Sequence, residues 1–483
     1  MSTAEGTKLG KGNLGLLDVV AQAVGFIGPT FAAAFFIPTI AGASFTGKGA
    51  GIATPISILL AAVGMIGVGW IVSRFARRIH AAGSLYYYVT EAFGRPLGFL
   101  AGWIYYGGML ALTLGIGLAF GGFLSLTLEG NGHGHVDWYW LTIAFWVVAF
   151  AMQVFGVQIS TRAQLALALV SMVIVFVFSV YVIFKGGTNG NSIDAFNPSK
   201  GGATGIFYGV LYAVIMFIGF ETAANLAEET ADPGRNVPRA VLYSVVVSAV
   251  FYVVVAYATL AGFGFDLGEM LKPENFPPIY GVAANPDLGG SSFGELVQWL
   301  VVIDIAAVAL GTATGTSRGI FALARDGRLP KPLAYVHPRY KTPVASAALL
   351  AVGSIAWTLV VHGTDGLVTL TPNDPGEWFG AFQWGATLGG FLLVIVYLAV
   401  SATAFKGQPG SSFVGLALAG VVGAVTSVVA LYGVIKGVPP IWAIDKVWWE
   451  SAIWVAVGAV VLVGILMRGG FSTATAAEAS TDP

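Results

Sequence analysis

Twelve stretches of this chain are each apolar for about the 20 residues that a helix needs to cross a hydrocarbon core of ~30 Å. They run 15–42, 52–73, 97–127, 138–158, 163–185, 205–227, 237–263, 293–318, 343–362, 378–404, 412–436 and 447–468. Nothing else in the sequence limits the fold as strongly. In hydrocarbon every backbone N–H and C=O must be bonded within the protein, which leaves α-helices or closed barrels. Continuous apolar runs of this length are helices, whereas barrel strands alternate. The expected fold is therefore all-α, an integral membrane protein of twelve spans. Composition agrees: 10% of the 483 residues are charged, against roughly 25% in a soluble domain. A net charge of −1 leaves no footprint for nucleic acid. With no cysteine, disulfides, thiolate metal sites and cysteine nucleophiles are excluded.

Orientation follows from arginine and lysine. With the N-terminus inside, the cytoplasmic segments hold 17 of the 23 basic residues, and the other side holds six lysines and no arginine. Arg74, Arg77, Arg78 and Arg95 follow span 2; Arg318, Arg325, Arg328, Lys331, Arg339 and Lys341 follow span 8. A multi-pass protein of the cytoplasmic membrane with both termini cytoplasmic is expected. The polar start (1–13) is no cleavable signal peptide, and the tail 471–483 lacks a core-forming pattern. The longest polar stretch, Phe265–Ser292, is too short for an inserted domain. His80, His133, His135, His337 and His362 fall in loops or near span ends, so no span offers a histidine pair for haem or zinc. P-loop and HExxH motifs are absent, which argues against an ATP-driven pump or a zinc-dependent membrane hydrolase. No enzyme, cofactor or metal is implied.

Two spans are interrupted midway. Span 1, LDVVAQAVGFIGPTFAAAFFIPTIAG, carries Gly25, Gly28 and Pro29 at its centre. Span 6, GIFYGVLYAVIMFIGFETAANLAEE, carries Gly219, followed by Glu221. Small residues are common in membrane helices simply because they let helices approach. Proline, however, removes a donor and disfavours helix before it. Groups freed at membrane depth survive only against protein, water or ligand, and an ionisable residue there is costly. Spans 1 and 6 lie five apart, each opening one half of a 5+5 inverted repeat, and interruptions at matching places point to a transporter's binding site.

Four segments carry a family resemblance: HAAGSLYYYVTEAFGRPLGFLAGW (His80–Trp103), FIGFETAANLAEETADPGRNVPRAV (Phe217–Val241), SRGIFALARDGRLPKPLAYVHPRYKTP (Ser317–Pro343) and the span 1 break. Together they resemble the amino acid–polyamine–organocation (APC) transporter superfamily. The resemblance implies a leucine-transporter-like fold. Residues 14–190 would form the first repeat (spans 1–5) and 200–405 the second (spans 6–10). The peripheral helices 11 and 12 fall in 411–468, all within one transmembrane domain, 14–470. It also implies alternating access, with spans 1, 2, 6 and 7 rocking against spans 3, 4, 8 and 9. The charges Glu228, Glu229, Asp232, Arg235 and Arg239, with Arg325, Asp326 and Arg328, are either solvated loops or ion pairs closing an inner gate.

In typical relatives the span 1 break reads Gly-Ser-Gly and its amides cradle a substrate carboxylate; here Pro29-Thr30-Phe31 stands there. Amides of Thr30, Phe31 and Gly28, with the Thr30 hydroxyl, remain to serve. Carbonyls released at Val24, Gly25, Phe26 and Ile27 and at Ile215–Ile218 suit an ammonium. Phe26, Phe217 and Phe220 offer aromatic faces, or are ordinary core aromatics. Glu221 stands where several proton-coupled relatives carry an acid; the plainer role is a bond to the broken helix end. Asp304 either contacts a second cationic group of the substrate or bonds a neighbouring hydroxyl or tyrosine. Span 5 has no internal basic residue, and Ser171, Thr312, Thr314 and Thr316 leave a sodium site open. The function expected is import of an amino acid or related amine, coupled to H+. The alternatives are an amine or amino-acid exchanger and, from another class, a nutrient sensor or subunit. Oligomeric state is not legible.

Overall fold

The computed structural model describes residues 14–42, 49–80, 83–155, 157–364, 376–408, 411–437 and 446–467; the tails 1–13 and 471–483 lie outside the described residues. Twelve helices are long and apolar enough to cross a membrane. They are Leu16–Ala41, Gly51–Ala76, Arg95–Gly130, Trp138–Phe155, Ala168–Lys185, Gly202–Glu229, Pro233–Gly262, Ser291–Arg325, Val344–Gly363, Glu377–Lys406, Phe413–Lys436 and Val447–Met467. We number them spans 1 to 12. Each overlaps an expected span, and spans 3 and 8 run several residues beyond the apolar stretch. Those extensions put Arg325 on the last turn of a helix.

The packing is symmetric between halves. Span 3 lies along span 10, and span 8 along span 5. The first half of span 1 packs on span 7, the first half of span 6 on span 2, and spans 4 and 9 on each other. Exchanging each span for the one five places away converts every pair into another of the set, as an inverted repeat requires. Spans 1 and 6 are the most enclosed, with 94% and 83% of their apolar windows buried, against 11% for span 12. Span 11 packs on spans 2, 6 and 10, and span 12 on spans 3 and 10. Val460, Val463 and Met467 of span 12 stay exposed, as a lipid-facing surface would.

The loops carry structure that runs of apolar residues do not signal. Leu85–Phe93 forms a short helix between spans 2 and 3, with Tyr86 and Tyr88 buried. Within 265–292 two further helices form, Leu267–Met270 and Pro278–Ala284. The second buries Ile279, Val282 and Ala283 against spans 7 and 8.

Candidate functional site

Span 1 is two helices, Leu16–Ile27 and Pro29–Ala41, joined at Gly28. Gly28 adopts φ +55° and closes the first helix with its N–H on the Val24 carbonyl at 2.9 Å. A side chain there would be strained, and its Cβ would fall 1.7 Å from Val308 Cγ2 of span 8. Pro29 sits at the first position of the second helix, where its missing N–H costs nothing. Span 6 breaks at Ile218 and Gly219. The helix Gly202–Phe217 ends with Ile218 N–H on the Ile215 carbonyl, and Gly219 takes φ +125°. The chain resumes as a 3₁₀ helix, Phe220–Glu229.

The two breaks touch. A Cβ on Gly219 would lie 2.4 Å from Phe26 Cδ1 and 2.9 Å from the Ile27 nitrogen. Beside this contact is a cavity of about 30 Å³. Its wall takes Phe26, Ile27, Phe31, Ala32 and Phe36 from span 1, Leu112 and Ile116 from span 3, and Ile215 and Ile218 from span 6. Val308 of span 8 and Phe382 and Ala386 of span 10 complete it. Every one of these side chains is apolar. The volume holds a water or two, so any larger solute must push side chains aside. Phe35, which is not part of the wall, packs among Phe123, Phe276 and Phe382 at 5.5, 5.4 and 5.6 Å between ring centres. A wider surface groove of about 470 Å³, lined by Ile183, Phe196 and Tyr257, lies near the ends of spans 5 and 7, away from both breaks.

Of the residues expected at the site, Phe26, Ile27, Phe31, Ile215 and Ile218 line the cavity. Gly25, Gly28, Pro29, Thr30 and Gly219 build the breaks behind it. Val24 and Ile215 each already accept one backbone N–H, leaving one lone pair apiece. The ring of Phe217 packs edge-on against Tyr252 at 5.3 Å, and Phe220 lies 5.8 Å from Tyr397. These two serve as core aromatics.

Both acids are fully buried and both bind backbone. Glu221 folds back on its own break: Oε2 accepts Gly219 N–H and Oε1 accepts the Tyr105 hydroxyl of span 3, each at 3.1 Å. Tyr397 of span 10 lies against the same carboxylate. Asp304 reaches across to the other break. Its Oδ2 accepts Phe31 N–H at 2.7 Å, and its Oδ1 accepts the Ser171 hydroxyl at 3.3 Å. The Thr30 backbone lies beside the same carboxylate. Thus the chain's own acid occupies an amide that was expected to face a substrate carboxylate.

At the arginine-rich end, charges pair between the ends of spans 6 and 8. Arg318 Nε donates to Glu229 Oε1 at 2.7 Å, with both side chains buried. Arg325 grips Glu228 through both terminal nitrogens at 2.9 and 2.8 Å. Tyr87 donates to Asp326 at 2.8 Å. Burial and the neighbouring Asp326 push the Tyr87 phenol well up, so it stays a donor. Burial likewise raises the Asp326 carboxyl, against the Tyr87 bond and Arg325. Leu14 joins this end, its N–H on the Glu229 carbonyl and its carbonyl taking Ala231 N–H. Arg318→Met should strand the buried Glu229 and cost about 3–5 kcal/mol. Adding Glu229→Leu should restore most of that loss. Thermal unfolding of the purified variants checks this, and an unaltered single mutant would contradict it.

Twelve spans with paired, interrupted helices meeting over a buried cavity are the architecture of a membrane transporter. The chain belongs to the amino acid permease family, whose model matches residues 14–462. It is similar to the branched-chain amino acid permease BcaP of Bacillus subtilis, 27% identical over 71% of this chain and 73% of the relative. It is also similar to the methylthioribose transporter of the same organism, at 25% over 63% and 66%. The low-affinity putrescine importer PlaP of Escherichia coli matches at 24% over 59% and 61%.

Proposed function

We propose that this permease imports an amino acid or related amine with an apolar body across the cytoplasmic membrane, by alternating access and with H+ coupled through Glu221. The observation that carries the reading is the convergence of two broken helices on one wholly apolar cavity. The arginine-rich end faces the cytoplasm, with both termini on that side. Its ion pairs Arg318–Glu229 and Arg325–Glu228 then form the inner gate, shut in this state. Spans 1–5 and 6–10 are the two repeats. The relatives' named substrates are an amino acid, a sugar thioether and a diamine, so a small solute is common ground.

An apolar wall sorts solutes. Burying a methylene contributes about 0.8 kcal/mol, whereas a second ammonium of a diamine would face Leu112, Ile116 and Val308 without a partner. A ligand-dependent thermal-stability screen of the purified protein therefore should pick out compounds with one polar end and an aliphatic or aromatic body. Ligands bound only by the folded state raise apparent stability as RT ln(1 + [L]/Kd). Stabilisation by diamines or acidic amino acids, with none from apolar compounds, would overturn the reading.

A further inference from the structure

Beside the cavity lies a place suited to an anion, the start of the second half-helix of span 1, whose Phe31 lines the wall. Helix N-termini present unbonded amides and a positive dipole end. Here that position is already filled. Asp304, carried by span 8 some 273 residues away in sequence, holds Phe31 N–H at 2.7 Å, with the Thr30 backbone beside the same carboxylate. Ser171 of span 5 steadies its other oxygen. The 2.7 Å separation lies in the range of charge-assisted bonds. Among the described residues no ion pair includes Asp304, so the helix end and a hydroxyl are what hold it.

We propose that Asp304 is the specificity-determining residue of this permease: it occupies the anion position permanently, so the solute taken between the breaks is an amine without a carboxylate. The inference rests on the cavity being the solute site. A solute carboxylate would have two routes to these amides. It could displace Asp304, leaving a buried acid with only the Ser171 hydroxyl, or it could share the amides and meet like charge at contact distance. No cavity-lining side chain is basic, so nothing else would balance it. An ammonium meets the opposite conditions. Asp304 supplies negative charge behind the wall, and Phe26, Phe31, Phe36 and Phe382 supply ring faces. The Thr30 hydroxyl is buried and has no partner among the described residues, which leaves it as an acceptor at the break.

The test uses the full-length purified protein and probes matched in body: 3-methylbutylamine against leucine, and 2-phenylethylamine against phenylalanine. Kd values come from stabilisation or calorimetric titration. The expected result is amines binding at least about tenfold more tightly than the matching amino acids, a factor worth about 1.4 kcal/mol. Asp304→Ala, which frees the amides, should move that ratio toward the amino acids. Asp304→Asn, which keeps an acceptor over Phe31 N–H and so protects folding, should narrow the ratio by removing the like charge. Tighter binding of leucine or phenylalanine to the unaltered protein would overturn the proposal, as would ratios untouched in both variants. Ala386→Trp separates the two levels of inference. If it leaves amine binding intact, the cavity is not the site; if it abolishes binding while amino acids are preferred in the unaltered protein, the cavity stands and the role of Asp304 falls.

Discussion

Gly219→Val should abolish uptake in proteoliposomes and lower the melting temperature of the purified protein. Position 219 takes φ +125°, a conformation that only glycine adopts without strain of roughly 1–3 kcal/mol. The new Cβ would also fall 2.4 Å from the Phe26 ring and 2.9 Å from the Ile27 backbone nitrogen. The ring can shift, but the backbone nitrogen cannot without moving the span 1 break. Overpacking of that kind adds about 1–3 kcal/mol. Because the collision lies where the two breaks meet, the same wedge that destabilises the fold separates the cavity's walls. Gly353 provides a comparison, since a Cβ there meets nothing within 4 Å. Gly353→Val should leave uptake near its original rate. Equal activity in both variants would remove the breaks from the mechanism.

Glu221→Gln should reduce uptake driven by an imposed pH gradient at least about tenfold, while exchange of labelled for unlabelled solute persists. The carboxylate acts as an acceptor twice, for Gly219 N–H and for the Tyr105 hydroxyl. A protonated carboxyl carries one O–H donor beside its remaining acceptor capacity, so an arriving proton needs an acceptor, which the Tyr105 or Tyr397 hydroxyl would supply by turning. Turning of the Tyr105 hydroxyl would alter the tie between the span 6 break and span 3. The proposed coupling would require protonation and the geometry of the break to be linked in this way. Glutamine fixes a neutral side chain and removes the switch. Unchanged gradient-driven uptake would assign Glu221 to holding the helix end alone and put the coupling on another group.

Much of this was legible before any coordinates. Apolar runs of bilayer length specify spans because backbone groups have no other way to be satisfied in hydrocarbon. Gly28-Pro29 and Gly219 mark the breaks because each has a local conformational cause, φ +55° and φ +125°. Local signals stop there. Leu112, Ile116, Phe382 and Ala386 line the cavity, yet each is one apolar residue in an apolar helix, and its direction depends on the rotation of spans 3 and 10. Tyr105 is similar: its bond to Glu221 joins positions 116 apart. Asp304 shows the limit most clearly. Its sequence neighbours in span 8 give no hint that its partner is the Phe31 amide. Proximity does not identify the charge pairs either: Glu228 and Glu229 have Arg235 and Arg239 nearby in sequence, yet they reach Arg325 and Arg318, about ninety residues on.

The central claim is that the solute lies in the apolar cavity between the broken helices, and Ala386→Trp tests it most directly. Ala386 is buried and lines the cavity from span 10, and an indole far exceeds the roughly 30 Å³ there. The measurement is ligand-induced stabilisation of the purified variant beside the unaltered protein, using whichever apolar-bodied compound stabilises the latter. The predicted result is a ligand shift reduced to zero, with the variant still folding as a single cooperative unit. A full ligand shift in Ala386→Trp would contradict the account and place the solute elsewhere in the bundle.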